Sequence, residues 1–124
     1  MRDHLRPGGV VALNVAAVPD DKRLVDAVGG TLAADFPQVL QWPALRFNTI
    51  VLGLKEPLAA DELRRRLGSG PADLASLREL LAREARPMTV ASRPWTDDRA
   101  PVEWLTDRMI VAYAAEGGRP EEDY

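Results

Sequence analysis

Residues 5–16 read Leu5-Arg6-Pro7-Gly8-Gly9-Val10-Val11-Ala12-Leu13-Asn14-Val15-Ala16. Arg6-Pro7-Gly8-Gly9 is a turn, because Pro and Gly in this order punctuate regular structure. Val10–Ala16 is an almost unbroken apolar run of seven residues. A strand of that kind reads as covered on both faces, as in the parallel sheet of an α/β protein. On this reading it is a central strand with neighbours on both sides. The glycines are not a phosphate-binding loop: such a loop follows a strand and opens a helix, and here Gly8-Gly9 precede the strand.

Downstream, Pro19-Asp20-Asp21 reads as a loop with a helix N-cap. Leu24, Val25, Val28, Leu32 and Phe36 recur three or four apart, which predicts an amphipathic helix over about 21–36. Gly29-Gly30 lie inside it and weaken it by roughly 1 kcal/mol each unless close packing requires them. Pro37 ends the helix. Val39–Trp42 is a short strand and Phe47–Leu54 a stronger one, rich in β-branched and apolar residues. The link from Pro43 to Arg46 is too short for a parallel crossover, so these two strands form an antiparallel hairpin.

From Pro57 the pattern turns helical. Ala59–Leu67 and Asp73–Arg86 are read as helices separated by Gly68-Ser69-Gly70-Pro71, with Leu63 and Leu67 on the first and Leu74, Leu77, Leu80 and Leu81 on the second. Pro87–Pro94 is extended or irregular. A last helix spans Pro101 to about Glu116, with Val102, Leu105, Met109 and Tyr113 on one face, and residues 117–124 form a polar tail. The domain is therefore 1–116: one strand joined to the next by a helical crossover, a hairpin, then three helices. The sheet is incomplete, since a central strand at Val10–Ala16 has only one side supplied by these residues.

Composition narrows the function. The 124 residues are 46% hydrophobic and 28% charged, enough for one domain with a real core. A net charge of -3 provides no basic footprint for nucleic acid. No cysteine is present, which removes disulfides, thiolate metal sites and cysteine nucleophiles. The one histidine, His4, lies in a polar segment and reads as a surface residue, so neither a His-rich metal site nor a Ser-His-Asp triad is expected. No apolar run approaches the roughly 20 residues that cross a bilayer. The N-terminus is too polar for a signal peptide, so a cytoplasmic protein, or a cytoplasmic part of something larger, is expected.

Few residues remain as site candidates. Asn14 lies toward the carboxyl end of the first strand, where open α/β sheets bind ligands; equally, loop backbone could satisfy it. Asn48 opens the last strand and either stabilises the hairpin or touches a ligand. Arg64-Arg65-Arg66 reads as a solvated helix face. The densest segment is Pro94-Trp95-Thr96-Asp97-Asp98-Arg99-Ala100-Pro101-Val102-Glu103. Asp is a favoured N-cap, yet Pro101 suits the first helical position and pushes Ala100 out of helical geometry. Ala100 is then the cap, Glu103 answers the helix dipole, and Asp97 and Asp98 stand outside. They either form a turn or pair with Arg93 or Arg99, or they face a cationic ligand such as an amine.

Two of these segments resemble a known family. Leu5–Asn14 resembles the turn and fifth strand of class I S-adenosylmethionine-dependent methyltransferase folds, in which the last strand inserts antiparallel, as Phe47–Leu52 is placed to do. Thr96-Asp97-Asp98-Arg99-Ala100-Pro101-Val102-Glu103 resembles the C-terminal motif of spermidine synthase-like proteins. The resemblance implies the C-terminal portion of a Rossmann-like aminopropyltransferase domain. Such enzymes move an aminopropyl group from decarboxylated S-adenosylmethionine to an amine such as putrescine. They use an anionic pocket and an Asp that takes the proton of the attacking amine. The catalytic carboxylates and the glycine-rich nucleoside loop belong to the first half of that fold, so no catalytic or metal-binding residue carries over. Asp97, Asp98 and Asn14 remain as substrate-binding candidates.

The expectation is a polypeptide holding the second half of such a fold, with Met1 an internal Met or a start within a longer frame. Alone it would have no activity and no cofactor. In the full fold, decarboxylated S-adenosylmethionine or S-adenosylmethionine would be the substrate, beside a small amine. The Val10–Ala16 edge would pair with the missing half or with a second copy. The alternatives are a stand-alone interaction module that dimerises through this edge, and a methyltransferase fragment.

Overall fold

The computed structural model describes residues 1–89, 93–96, 98 and 100–117. Strand β1 (Val10–Ala16) leads into helix α1 (Arg23–Asp35), and strands β2 (Gln38–Leu45) and β3 (Asn48–Leu54) follow as a hairpin. Helices α2 (Ala60–Gly68) and α3 (Ala75–Glu84), the two-residue strand β4 (Arg86–Pro87) and helix α4 (Val102–Ala115) complete the chain, with 3₁₀ turns at Arg2–His4 and Ala72–Leu74.

The sheet runs β1-β3-β2-β4 and every neighbouring pair is antiparallel. The expected α/β class holds, whereas among the described residues no parallel ladder forms. β3 inserts between β1 and β2, pairing Leu13 with Val51 and Gln41 with Val51. Both strands flanking β3 run opposite to it, so β1 and β2 point the same way, as their helical crossover requires.

The expectation that β1 is central and covered on both faces is overturned. β1 is an edge strand whose burial alternates along its length. Val11, Leu13 and Val15 face α1, while Val10, Ala12, Asn14 and Ala16 are exposed. Small apolar residues at the exposed positions conceal the alternation, because Ala counts as apolar whether or not anything covers it.

On the covered face, Val15, Val51 and Val39 meet Leu24, Val25 and Leu32 from α1, Phe36 at its C-cap, and Leu105 and Met109 from α4. Gly29 and Gly30 are buried in α1. Gly53 is needed in β3, because a Cβ there would lie 2.9 Å from Cγ of Phe36. On the other face α3 lies against β2. Gln38 clamps the chain entering α2, donating to the Leu58 carbonyl at 3.1 Å and accepting the Leu58 N–H at 2.8 Å. Leu40 and Leu54 are buried on this side, and the cover does not extend to β1.

Several local details differ from the sequence reading. β2 extends to Leu45, passing Pro43 with a register shift between Pro43 and Leu45, as proline in a strand tends to require. Arg86-Pro87, read as the end of a helix and the start of an irregular stretch, pairs with Gln41 and Leu40. Leu74 and Leu77 are half exposed and do not form a buried stripe on α3. Arg65 and Arg66 both bind Glu62 and hold its carboxyl below the usual range, so the arginine run is a solvated face. Arg78 donates to the carbonyls of Leu67 and Gly68, satisfying acceptors that the end of α2 leaves open. No helix among the described residues is long and apolar enough to cross a membrane.

Candidate functional site

The carboxyl end of β1 opens into a cleft of about 260 Å³. Ala16 and Val18 form one wall, Phe47 and Asn48 the hairpin turn, and Met109 and Tyr113 the flank of α4. Antiparallel pairing of β1 with β3 places the β2–β3 turn beside the end of β1, and the Ala17 N–H donates to the Phe47 carbonyl at 2.8 Å. The Phe47 and Tyr113 rings meet edge to face, centroids 5.6 Å apart at 77°. Arg46 reaches the Tyr113 hydroxyl at 3.4 Å and lies over the Phe47 ring.

Beside this apolar cleft lies a smaller one of about 210 Å³, lined by Asp20, Asp21 and Glu116 together with Tyr113 and Val18. Asp20 adopts φ 65° in the β1–α1 loop, a conformation Asp tolerates better than most residues. Asp21 accepts the Arg23 backbone N–H at 3.2 Å and the Arg23 guanidinium at 2.9 Å. That guanidinium holds the Asp21 carboxyl below its usual range, and slight burial opposes the shift. Lys22 is the residue at the N-cap of α1, and Asp21 just before it supplies the side-chain acceptor. Among the described residues no group of three or more His, Cys, Asp or Glu is placed to hold a metal ion.

Of the expected site residues, the two that are described, Asn14 and Asp98, are not brought together. Asn14 lies opposite Ile50 on the exposed face of β1 and lines neither cleft. Asp97 lies outside the described residues. Asp98 is exposed and accepts the Thr96 hydroxyl at 2.5 Å. The segment is anchored through Trp95, which packs on the α1 side of the core and donates its backbone N–H to the Thr31 hydroxyl at 2.9 Å. Asn14 and this anchor therefore belong to opposite faces of the sheet. Among the described residues no side chain caps α4. Its N-cap is Pro101, one position later than expected, because the Val102 N–H is taken by the Ala100 carbonyl at 2.8 Å.

The cleft residues Phe47 and Tyr113 were read from sequence only as strand and helix positions. The available signal was weak: Asn48 at the head of a strand, and an aromatic near a helix end. Comparison of the chain with family models, with curated proteins and with solved structures finds no match.

Proposed function

We propose that this chain is the carboxyl portion of an aminopropyltransferase-like domain, built on a methyltransferase-type sheet. It would complete that sheet and contribute one wall of an amine site. The observation that carries this reading is β3, inserted antiparallel between two strands that run in the same direction and are joined by α1. That is the closing arrangement implied by the resemblance of Leu5–Asn14 and Thr96–Glu103. The open edge and bare face of β1 fit the same reading, since a complete domain would continue there.

The chemistry of the clefts agrees with an aliphatic diamine. Methylene groups suit the apolar walls of Phe47, Met109 and Tyr113, and an ammonium suits the carboxylates of Asp20 and Glu116. Aminopropyl transfer requires a neutral amine to attack the carbon next to a sulfonium. The C–S bond breaks, a thioether leaves, and the new ammonium loses its proton to a base. Residues 1–124 supply binding surface, and the proton acceptor and nucleoside loop would come from the first half of the fold.

Two measurements test this. The purified chain should show no turnover of decarboxylated S-adenosylmethionine with putrescine, and turnover would overturn the assignment of catalysis to the other half. A longer product of the same reading frame, with a strand and Gly-x-Gly loop before Leu5, should bind 5′-methylthioadenosine more tightly than S-adenosylhomocysteine in calorimetry. The reverse preference would assign methyl transfer, and binding of neither would remove the transferase reading.

A further inference from the structure

The two edges of the sheet are unlike. At one end β4 is only Arg86-Pro87, short, charged and proline-bearing, which are the features that keep an edge from recruiting another strand. At the other end β1 runs seven residues with no charge, no proline and no bulge in its pairing with β3. Its outward backbone groups can be assigned. Lys55 donates to the Gly9 carbonyl and Ala17 donates to the Phe47 carbonyl, so odd-numbered residues bond to β3. The N–H and C=O groups of Val10, Ala12, Asn14 and Ala16 therefore point away from the sheet.

We infer that in the 124-residue chain this edge is covered by a second copy of itself, β1 against β1 antiparallel about a two-fold axis at Leu13. The register follows from the outward groups. Pairing Val10 with Ala16 of the second copy and Ala12 with its Asn14 uses all four outward residues on each side, and a shift of two residues in either direction loses one. The side chains agree. Leu13 meets Leu13 and Val11 meets Val15 on the covered face, while Ala12 meets Asn14 on the bare one, so no charge enters the interface.

The charges flanking β1 favour the same arrangement. Exposed Arg6 stands four residues before the strand and exposed Asp20 four residues after it. Antiparallel copies bring Arg6 of each to the end that carries Asp20 of the other. Parallel copies would set like charges together. The bare faces of the two β1 strands then join into one surface with Ile50 and Leu52. This inference does not rest on the transferase reading, since it uses only the edge as it stands.

Sedimentation of the purified chain from low micromolar to near-millimolar concentration is expected to show a reversible dimer of twice 13.6 kDa. Ala12→Pro removes one outward donor per copy and no bond to β3, so it should raise the dimer dissociation constant on the order of 30-fold. Arg6→Glu should raise it severalfold, less so at high salt. The chain has no cysteine of its own, so single cysteines report the register independently of whether the proline variant folds. Leu13→Cys should cross-link rapidly under mild oxidation, because directly opposed residues in a non-hydrogen-bonded pair lie about 4.5 Å apart. Val11→Cys should not, because its copies lie about 13 Å apart along the strands. A chain that stays monomeric at every concentration, a dimer indifferent to Ala12→Pro, or equal cross-linking at both cysteines would overturn the inference.

Discussion

Replacing Gly53 by Ala tests how the end of α1 is seated on the middle strand. Gly53 pairs with Val11 on one side and Val39 on the other, in extended backbone that Ala adopts freely. Taken alone, the change would stabilise the protein by about 0.4–1 kcal/mol, because Ala restricts the unfolded chain. Packing opposes this. The added Cβ would lie 2.9, 3.0 and 3.2 Å from Cγ, Cδ2 and Cδ1 of Phe36, against the body of the ring rather than a flexible tip. Phe36 is 3% exposed and packed in the core cluster, so swinging the ring into solvent would forfeit that burial. Overpacking of this kind costs about 1–3 kcal/mol, which outweighs the gain and leaves a net loss of about 1–2 kcal/mol.

Urea unfolding at fixed protein concentration measures it, with Phe36→Ala and the double variant completing a cycle. Phe36→Ala alone should destabilise, and adding Ala at 53 to that background should be neutral or better, because Cγ and the ring are gone. The coupling should be about 1–2 kcal/mol. A Gly53→Ala protein more stable than its parent, or a cycle with no coupling, would refute the packing of Phe36 over β3.

Other consequences are smaller in scope. Met109 is 1% exposed and joins α4 to both the core and the cleft floor, so Met109→Ala should cost about 2–5 kcal/mol in chemical denaturation. Thr31→Val keeps the shape but leaves the Trp95 N–H without its acceptor; stability should fall by about 1 kcal/mol and exchange of the Trp95 amide should speed up. Because the folded Asp21 carboxyl lies below its unfolded value, its pairing with Arg23 stabilises above the unfolded value and is lost as pH falls through the folded one. Asp21→Asn should therefore be less stable than the parent at neutral pH and match it in acid, and a gap that persists in acid would contradict that assignment.

The elements that the sequence announced are those with a strong period or a forced turn. Leu24, Val25, Leu32 and Phe36 could be placed on one face of α1 because every third or fourth residue had to be apolar. The hairpin followed from a link too short to cross over. β1 was legible as a strand but not as an edge, because Ala12 and Ala16 do not declare which face is wet. β4 was invisible, since two residues with a proline carry no pattern and the partner strand lies more than forty residues earlier. The Asp97–Asp98 segment drew attention through the density of its carboxylates, whereas its observed anchor is Trp95 on Thr31. The cleft eluded sequence reading for a different reason. Arg46 and Tyr113 are 67 residues apart, and their meeting depends on how α4 crosses the sheet end.

The most direct measurement is amide hydrogen exchange along β1 as a function of protein concentration. In dilute solution Val11, Leu13 and Val15 should exchange slowly, bonded to β3, while Val10, Ala12, Asn14 and Ala16 should exchange at nearly open-chain rates. Raising the concentration should protect the second set and leave the first unchanged. Equal protection of both sets in dilute solution would mean that the sheet does not end at β1, and would contradict an open edge as the organising feature of this chain.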